Sequence, residues 1–287
     1  MNKTICFHHT DPDGRGAGAV VRYALGKDVL LIESDYGKVS IPWEKVEQAE
    51  RIIVTDFSFP KEDMLRMARG REFIWIDHHK SAMLELEQVS KDWSGLQDVS
   101  ESACVLAWKY FFPDRKVPRA IVLIGDRDVW RWAEEDTGPF NESIYNRDYH
   151  AENDALWEPL LEDDETVLNQ IIKEGEWLRE IALRNVDNLM AERSFEAKFE
   201  GYNTLAVNAP VNGDIGNYGR SRGYDIVYSY IDEPQDNGLT TVVTLYSDKV
   251  DVSVIAKKYG GGGHAGAAGF SFPRGGSPFP PDSEVHL

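Results

Sequence analysis

Short, unbroken apolar runs recur at intervals in the first part of the chain: Thr4-Ile5-Cys6-Phe7, Val29-Leu30-Leu31-Ile32, Ile52-Ile53-Val54 and Phe73-Ile74-Trp75-Ile76. Runs this short read as strands, and continuous rather than alternating hydrophobicity reads as burial on both faces. Helical patterns lie between them. Residues Gly14 to Leu25 begin with small side chains that allow close packing on a sheet, and Gly26 supplies a C-cap. Gly37 breaks the chain, Pro42-Trp43-Glu44-Lys45-Val46 opens a short helix, and Pro60 precedes a helix over Lys61 to Arg69. Alternating strand and helix predict βαβ units and a parallel sheet.

Ser102 to Phe112 is mostly apolar, ends at Pro113 and reads as a core helix. A second helix starts at Pro118, runs through Ile124 and ends in Gly125-Asp126-Arg127-Asp128-Val129-Trp130. Trp130 and Trp132 read as packing residues. Residues 151 to 165 carry seven acids and no base, which reads as a solvated helix start or loop. Apolar residues then recur at helical spacing from Thr166 to Arg193, a helix of roughly 40 Å that suits a linker. From Phe195 the pattern changes to β-rich runs at 204–208, 226–231 and 240–246. A short helix over Val252 to Tyr259 follows, then Gly260-Gly261-Gly262-Gly263-His264 and a Gly-, Pro- and Ser-rich tail expected to be loose. The expected fold is α/β. A parallel-sheet domain (1–150) is followed by an acidic segment and linker helix (151–193), then a smaller mixed α/β domain (194–287), with a substrate cleft between the domains.

Composition narrows the function. The 287 residues are 42% hydrophobic and 28% charged, as in soluble globular proteins, and hold no apolar stretch of bilayer-spanning length. The N-terminal residues lack signal-peptide form, and Cys6 and Cys104 read as buried thiols of a reducing cytoplasm. The net charge of −18 argues against tracking along a long polyanion such as duplex nucleic acid, but not against a small anionic substrate bound through divalent cations.

The candidate chemistry lies where the strands end. The first run leads into His8, His9, Asp11 and Asp13, the third into Thr55 and Asp56, and the fourth into Asp77, His78 and His79; Asp126 and Asp128 offer a further acidic point. In an open parallel sheet, ligands bind beyond the carboxyl ends of the strands. Carboxylates and imidazoles without thiolates suit Mn²⁺ or Mg²⁺. A carboxylate such as Asp56 can bridge two ions about 3.5–4 Å apart, the arrangement used in phosphoester hydrolysis. The glycine run is either a hinge or, with His264 beside it, an anion-binding nest of backbone N–H groups. No serine elbow or cysteine–histidine pair supports acyl transfer.

His9-Thr10-Asp11-Pro12-Asp13-Gly14, Asp56, Asp77-His78-His79 and Asp128 resemble the ordered motifs of DHH phosphoesterases. Gly261-Gly262-Gly263-His264 with Ala267-Ala268-Gly269-Phe270 resembles the glycine–histidine motif of the DHHA1 domain, which the family's pyrophosphatases lack. The resemblance extends to nanoRNase-type oligoribonucleases and, in the first motif, to RecJ-like spacing. It implies a hydrolase with two manganese ions acting on short oligonucleotides or small nucleotides, as a monomer or homodimer. One ion would take His9, Asp11 and Asp56; the other would take Asp13, Asp56, His78 and Asp128. Asp77 would orient ligands, His79 would face the scissile phosphate, and Gly261, Gly262, Gly263 and His264 would hold a substrate phosphate. Asp128 is preferred to Asp126 because an aromatic, Trp132, stands four residues on. The chain departs from the short-oligonucleotide nucleases at Tyr246, where they carry a phosphate-binding arginine; Arg220 or Arg222 is a candidate substitute. A phosphatase of a non-nucleotide metabolite and a non-catalytic nucleotide sensor are the alternatives.

Overall fold

The early apolar runs form one parallel sheet. Its strands are β1 (Thr4–His9), β2 (Leu30–Ser34), β3 (Arg51–Thr55) and β4 (Glu72–Ile76), in the order β2-β1-β3-β4. The computed structural model describes residues 3–35, 40–210, 212–235 and 238–286; the break expected at Gly37 lies outside them. Side chains alternate between two cores. Ile5, Phe7, Ile52, Val54, Phe73 and Trp75 share one, and Cys6, Ile53, Ile74 and Ile76 share the other. Burial on both faces explains why the runs are apolar without a break.

Four helices, α1 (Pro12–Leu25), α2 (Trp43–Gln48), α3 (Lys61–Ala68) and α4 (Lys80–Leu86), follow the strands in turn. Val46, Met64, Met67 and Leu86 bring α2, α3 and α4 to the first core. Ala17, Val20 and Val21 bring α1 to the second. That second core also takes α5 (Ala103–Phe111), α6 (Arg119–Asp128), α7 (Thr137–Tyr145), α8 (Asp154–Leu161) and the start of α9 (Glu165–Arg193). Each large apolar side chain buried there contributes about 1.5–3 kcal/mol. Neighbouring β1 and β3 thus send their helices to opposite faces. Their carboxyl ends mark the topological switch point of an open α/β sheet, the place where such folds bind ligands.

α6 runs through Gly125 and ends at Asp128, within the stretch where its end is expected; one glycine costs a helix about 1 kcal/mol, less than the burial of Ile121 and Ile124 returns. One local expectation changes. The acidic stretch at 151–165 contains α8, whose Leu156, Trp157, Leu160 and Leu161 are buried while its acids face outward. An amphipathic helix, not a solvated loop, accommodates both.

The chain divides into two compact units between Arg179 and Glu180, within α9. The second unit holds β5 (Ser194–Phe199), β6 (Tyr202–Asn208), α10 (Gly213–Ser221), β7 (Ile226–Gln235) and β8 (Gly238–Tyr246). It continues with α11 (Val252–Lys258), β9 (Gly262–Gly263), β10 (Ala267–Pro273) and β11 (Val285–His286). Its mixed sheet runs β11-β5-β6-β7-β8-β10-β9, parallel only between β6 and β7. The tail is not loose. Phe279 is buried against Phe199 and Tyr228, the Tyr228 hydroxyl donates to the Pro278 carbonyl, and β11 pairs with β5. One buried aromatic outweighs a flexible composition. No described helix is long and apolar enough to cross a membrane.

Candidate metal centre

The end of β1 aims its two histidines differently. His8 is fully buried, with its Nδ1 2.8 Å from the His9 carbonyl oxygen. His9 is partly exposed, its Nδ1 3.0 Å from Oδ2 of Asp11. Asp11 is also the N-cap of α1, and its carboxylate accepts the amide of Gly14 at 2.9 Å. A Cβ at Gly14 would stand 2.6 Å from both the Cβ and the carbonyl oxygen of His9. Glycine there lets the helix start against the strand and fixes His9 beside Asp11.

Asp56 is the first residue past β3 and is almost wholly buried, with a left-handed φ of 53°. Such a conformation costs a non-glycine residue about 1–2 kcal/mol, and strain of this kind concentrates at functional sites. Its Oδ2 lies 3.7 Å from His9 Nδ1, and its Oδ1 lies 3.2 Å from His78 Nε2. One carboxylate therefore turns an oxygen toward each of two histidines. Asp77, fully buried after β4, accepts from the amides of His78 at 2.7 Å and His79 at 3.1 Å, and its Oδ1 lies 2.8 Å from His79 Nδ1. It ties the triplet into one turn.

Asp13 enters from the first turn of α1. Its two oxygens accept the amides of Ala103 (2.7 Å) and Cys104 (2.9 Å), so it caps α5, whose own Ser102 makes no side-chain cap. Oδ2 of Asp13 also lies 3.7 Å from His78 Nε2. Asp128, at the end of α6, brings Oδ2 to 3.4 Å from the same nitrogen. Asp126 points elsewhere. It accepts the amides of Ala133 (3.0 Å) and Glu134 (3.1 Å) and the Thr137 hydroxyl (2.5 Å), which hold its carboxyl below the usual range against burial. The acid that joins the cluster is thus Asp128.

Ligand atoms of His9, Asp11 and Asp56 lie within 4.8 Å of one another, as do those of Asp13, His78 and Asp128, and those of Asp56, His78 and His79. The electrostatics fit a cation. Burial, then the charges of Asp13, Asp11, Asp128 and Asp77, push the Asp56 carboxyl well above its ordinary value. Burial, then Asp13 and Asp11, push Asp128 up to about 9. Oδ1 of Asp56 and Oδ2 of Asp128 are buried without a hydrogen bond. Oxygen donors so crowded and under-bonded suit a hard divalent ion such as Mn²⁺ or Mg²⁺. His9 and His79 are shifted upward, chiefly by their bonds to Asp11 and Asp77.

Three features lay outside the sequence expectations. Asp35 follows β2 and brings Oδ1 to 3.7 Å from His9 Nε2; the same strand-end pattern would have found it. Trp130 and Trp132 are not packing residues: they are 50% and 38% exposed. Tyr246 is buried, with its hydroxyl accepting the amide of Asn212 at 3.0 Å, so it supports the second unit from within. Arg222 stacks 3.4 Å over Tyr218, and Arg220 bonds Asn217.

In the second unit, Gly262 and Gly263 pair with Gly269 and Ala268 as an exposed edge. A Cβ at Gly261 would stand 2.0 Å from the Gly269 carbonyl oxygen. The Gly261 amide donates to Ala256 and the exposed His264's to Ala267. The run is a tight hairpin rather than a hinge, with the Gly261 amide committed to the end of α11 and the His264 amide committed within the hairpin.

No protein-family model matches the chain. An uncharacterized protein, R106, of Acanthamoeba polyphaga mimivirus is 26% identical over 93% of this chain and 67% of its own length. Oligoribonuclease NrnB of Bacillus subtilis is 24% identical over 92% of this chain and 72% of its own. Among solved structures, the DHH domain of a member of the s1p family of ribosomal proteins has a TM-score of 0.62 at 15% identity, covering 93% of this chain and 82% of that one. The pGpG-specific phosphodiesterase PggH of Vibrio cholerae has a TM-score of 0.55 at 13% identity, covering 94% and 93%. In its fold the chain is similar to DHH-domain proteins, and the residues that resemble the DHH motifs meet in space at the ends of the parallel strands.

Proposed function

We propose that the chain is a metal-dependent phosphodiesterase that hydrolyses short oligonucleotides or related small nucleotides. The observation that carries this reading is the double orientation of Asp56, one oxygen toward His9 and the other toward His78. That arrangement suits a carboxylate shared by two ions, with His9 and Asp11 on one side and Asp13, His78 and Asp128 on the other. Divalent ions held by these residues, Mn²⁺ or Mg²⁺, would supply an activated water and offset charge on the phosphoryl oxygens.

The protein's own groups do the rest. Asp77 holds the His78–His79 turn and keeps His79 inclined to carry a proton. His79 presents that proton to an oxygen of the scissile phosphate or of the leaving group. Within the second unit, Gly262, Gly263 and His264 are the candidates for holding an anionic group, with Gly261 as the close-packing residue beside them. Sequence likeness to a relative named an oligoribonuclease supports a nucleotide substrate, and the net charge of −18 disfavours long polyanions.

The test is turnover of ribodinucleotides, linear and cyclic dinucleotides, phosphoadenosine phosphate and sugar phosphates with Mn²⁺, Mg²⁺ or EDTA. The expected result is release of mononucleotides that requires the ion and is abolished in Asp56→Ala. Hydrolysis of sugar phosphates alone would favour the metabolite phosphatase. Tight nucleotide binding without turnover would favour the sensor.

A further inference from the structure

We propose that Trp130 and Trp132 form a stacking platform for a nucleobase of the substrate. The proposal rests on the phosphodiesterase reading above and names what lies next to the reacting phosphate. Large aromatic side chains are normally buried, because removing them from water is among the largest gains in folding. These two are 50% and 38% exposed, immediately after Asp128, whose Oδ2 faces His78 in the carboxylate cluster.

The backbone that presents them is strained and firmly held. Trp130 has φ 58° and Trp132 has φ 52°, both in the left-handed region that bulky residues avoid. The amide of Trp130 donates to the Arg127 carbonyl, and those of Arg131 and Trp132 donate to the Asp126 carbonyl. The Asp126 carboxylate takes the amides of Ala133 and Glu134. Arg131 reaches away to the Ser100 carbonyl at 2.8 Å and leaves the two indoles side by side. A buried carboxylate thus organises a loop whose product is two exposed aromatic rings.

Their geometry suits a flat guest. The ring centroids are 5.4 Å apart with planes at 84°, so the two indoles form a corner. A base can lie on one ring and meet the other at its edge. Trp130 is two residues from Asp128, within ~7 Å along the backbone, a span comparable to that between a nucleotide's phosphate and its base. Base–aromatic stacking tolerates any base, so the platform would favour nucleotides over sugar phosphates without strong sequence preference.

The test compares the full-length chain with a Trp130→Leu/Trp132→Leu double variant. The substrates are a ribodinucleotide and its analogue lacking both bases, in Mn²⁺. Wild type is expected to prefer the base-bearing substrate through KM, and the double variant to lose about tenfold of that preference. An unchanged Tm shows that the variant folds. As a readout independent of turnover, AMP but not ribose 5-phosphate should quench tryptophan fluorescence in wild type, and this difference should vanish in the variant. A variant that keeps both the KM preference and the AMP-specific quench overturns the platform. Turnover of both substrates without base preference in wild type also defeats it and leaves the phosphodiesterase reading intact. If neither substrate turns over yet AMP still quenches through these residues, the phosphodiesterase reading fails and the platform survives.

Discussion

His79 Nδ1 lies 2.8 Å from Oδ1 of Asp77, and Asp77 is fully buried while His79 is half-exposed. A buried carboxylate on one ring nitrogen favours the protonated imidazole, and His79 is shifted upward for that reason first. Asp77→Asn keeps an oxygen for the backbone amides of His78 and His79 but removes the charge. We expect a fall in kcat of about tenfold or more. The alkaline limb of the pH–rate profile should move to lower pH, because His79 then loses its proton sooner. Profiles of wild type and variant that superimpose would rule out this role.

Removal of the ion should expose the repulsion among the carboxylates. In the metal-free protein burial and the charges of Asp13 and Asp11 push the Asp128 carboxyl up to about 9, against about 3.9 for an unfolded aspartate. Between those values the folded state holds a proton that the unfolded state has released. Stability of the metal-free protein therefore falls as pH rises from about 4 toward 9, by up to about 1.4 kcal/mol per pH unit for one proton, and levels off above. Urea unfolding in EDTA at pH 6 and pH 8.5 measures this directly. Saturating Mn²⁺ should remove most of the slope, and mixing it with the metal-free protein at neutral pH should release protons.

Asp126 and Asp128 should fail in opposite ways. Asp126→Ala loses the acceptors of two amides and a hydroxyl, an expected cost of roughly 2–3 kcal/mol in stability. Asp128→Asn should leave stability near or above that of the metal-free wild type, since the amide has no proton to release on unfolding, while Mn²⁺ affinity and turnover collapse. Thermal melts and metal titrations on the pair separate the two roles. Equal loss of metal affinity in both variants would contradict the assignment of Asp128 to the cluster.

Phe279→Ala should destabilise the second unit by about 3 kcal/mol, the usual cost of emptying a buried aromatic site. The tail should then become sensitive to limited proteolysis between 273 and 285. A variant as stable and as protease-resistant as wild type would show that the contacts with Phe199 and Tyr228 do not anchor it.

Much of the first unit was legible because its strands are buried on both sides. A run such as Ile52-Ile53-Val54 can then be only a central strand, and the polar residue that follows it must sit at the sheet's end. Convergence of His9, Asp56 and His78 followed from strand ends alone. The preference for Asp128 over Asp126 came instead from the motif resemblance, with Trp132 four residues on, because the two side chains themselves differ only in what lies around them: amides of Ala133 and Glu134 for one, His78 for the other. The tail was misjudged for a related reason. Its Gly, Pro and Ser content describes how the unfolded chain behaves, whereas Phe279 decides what the folded chain gains. Trp130 and Trp132 were misjudged because composition assigns tryptophan to cores, and only three-dimensional placement shows the exception.

The capping of α5 by Asp13 links the interior to the candidate metal centre. The amides of Ala103 and Cys104 give that acid its footing, and the helix behind them is seated on the buried indole of Trp108. Mutations that loosen the seat of this helix, far from any reacting atom, would loosen the grip on the cation as well. Selection for tight ion capture and selection for a well-packed interior would then act on the same residues.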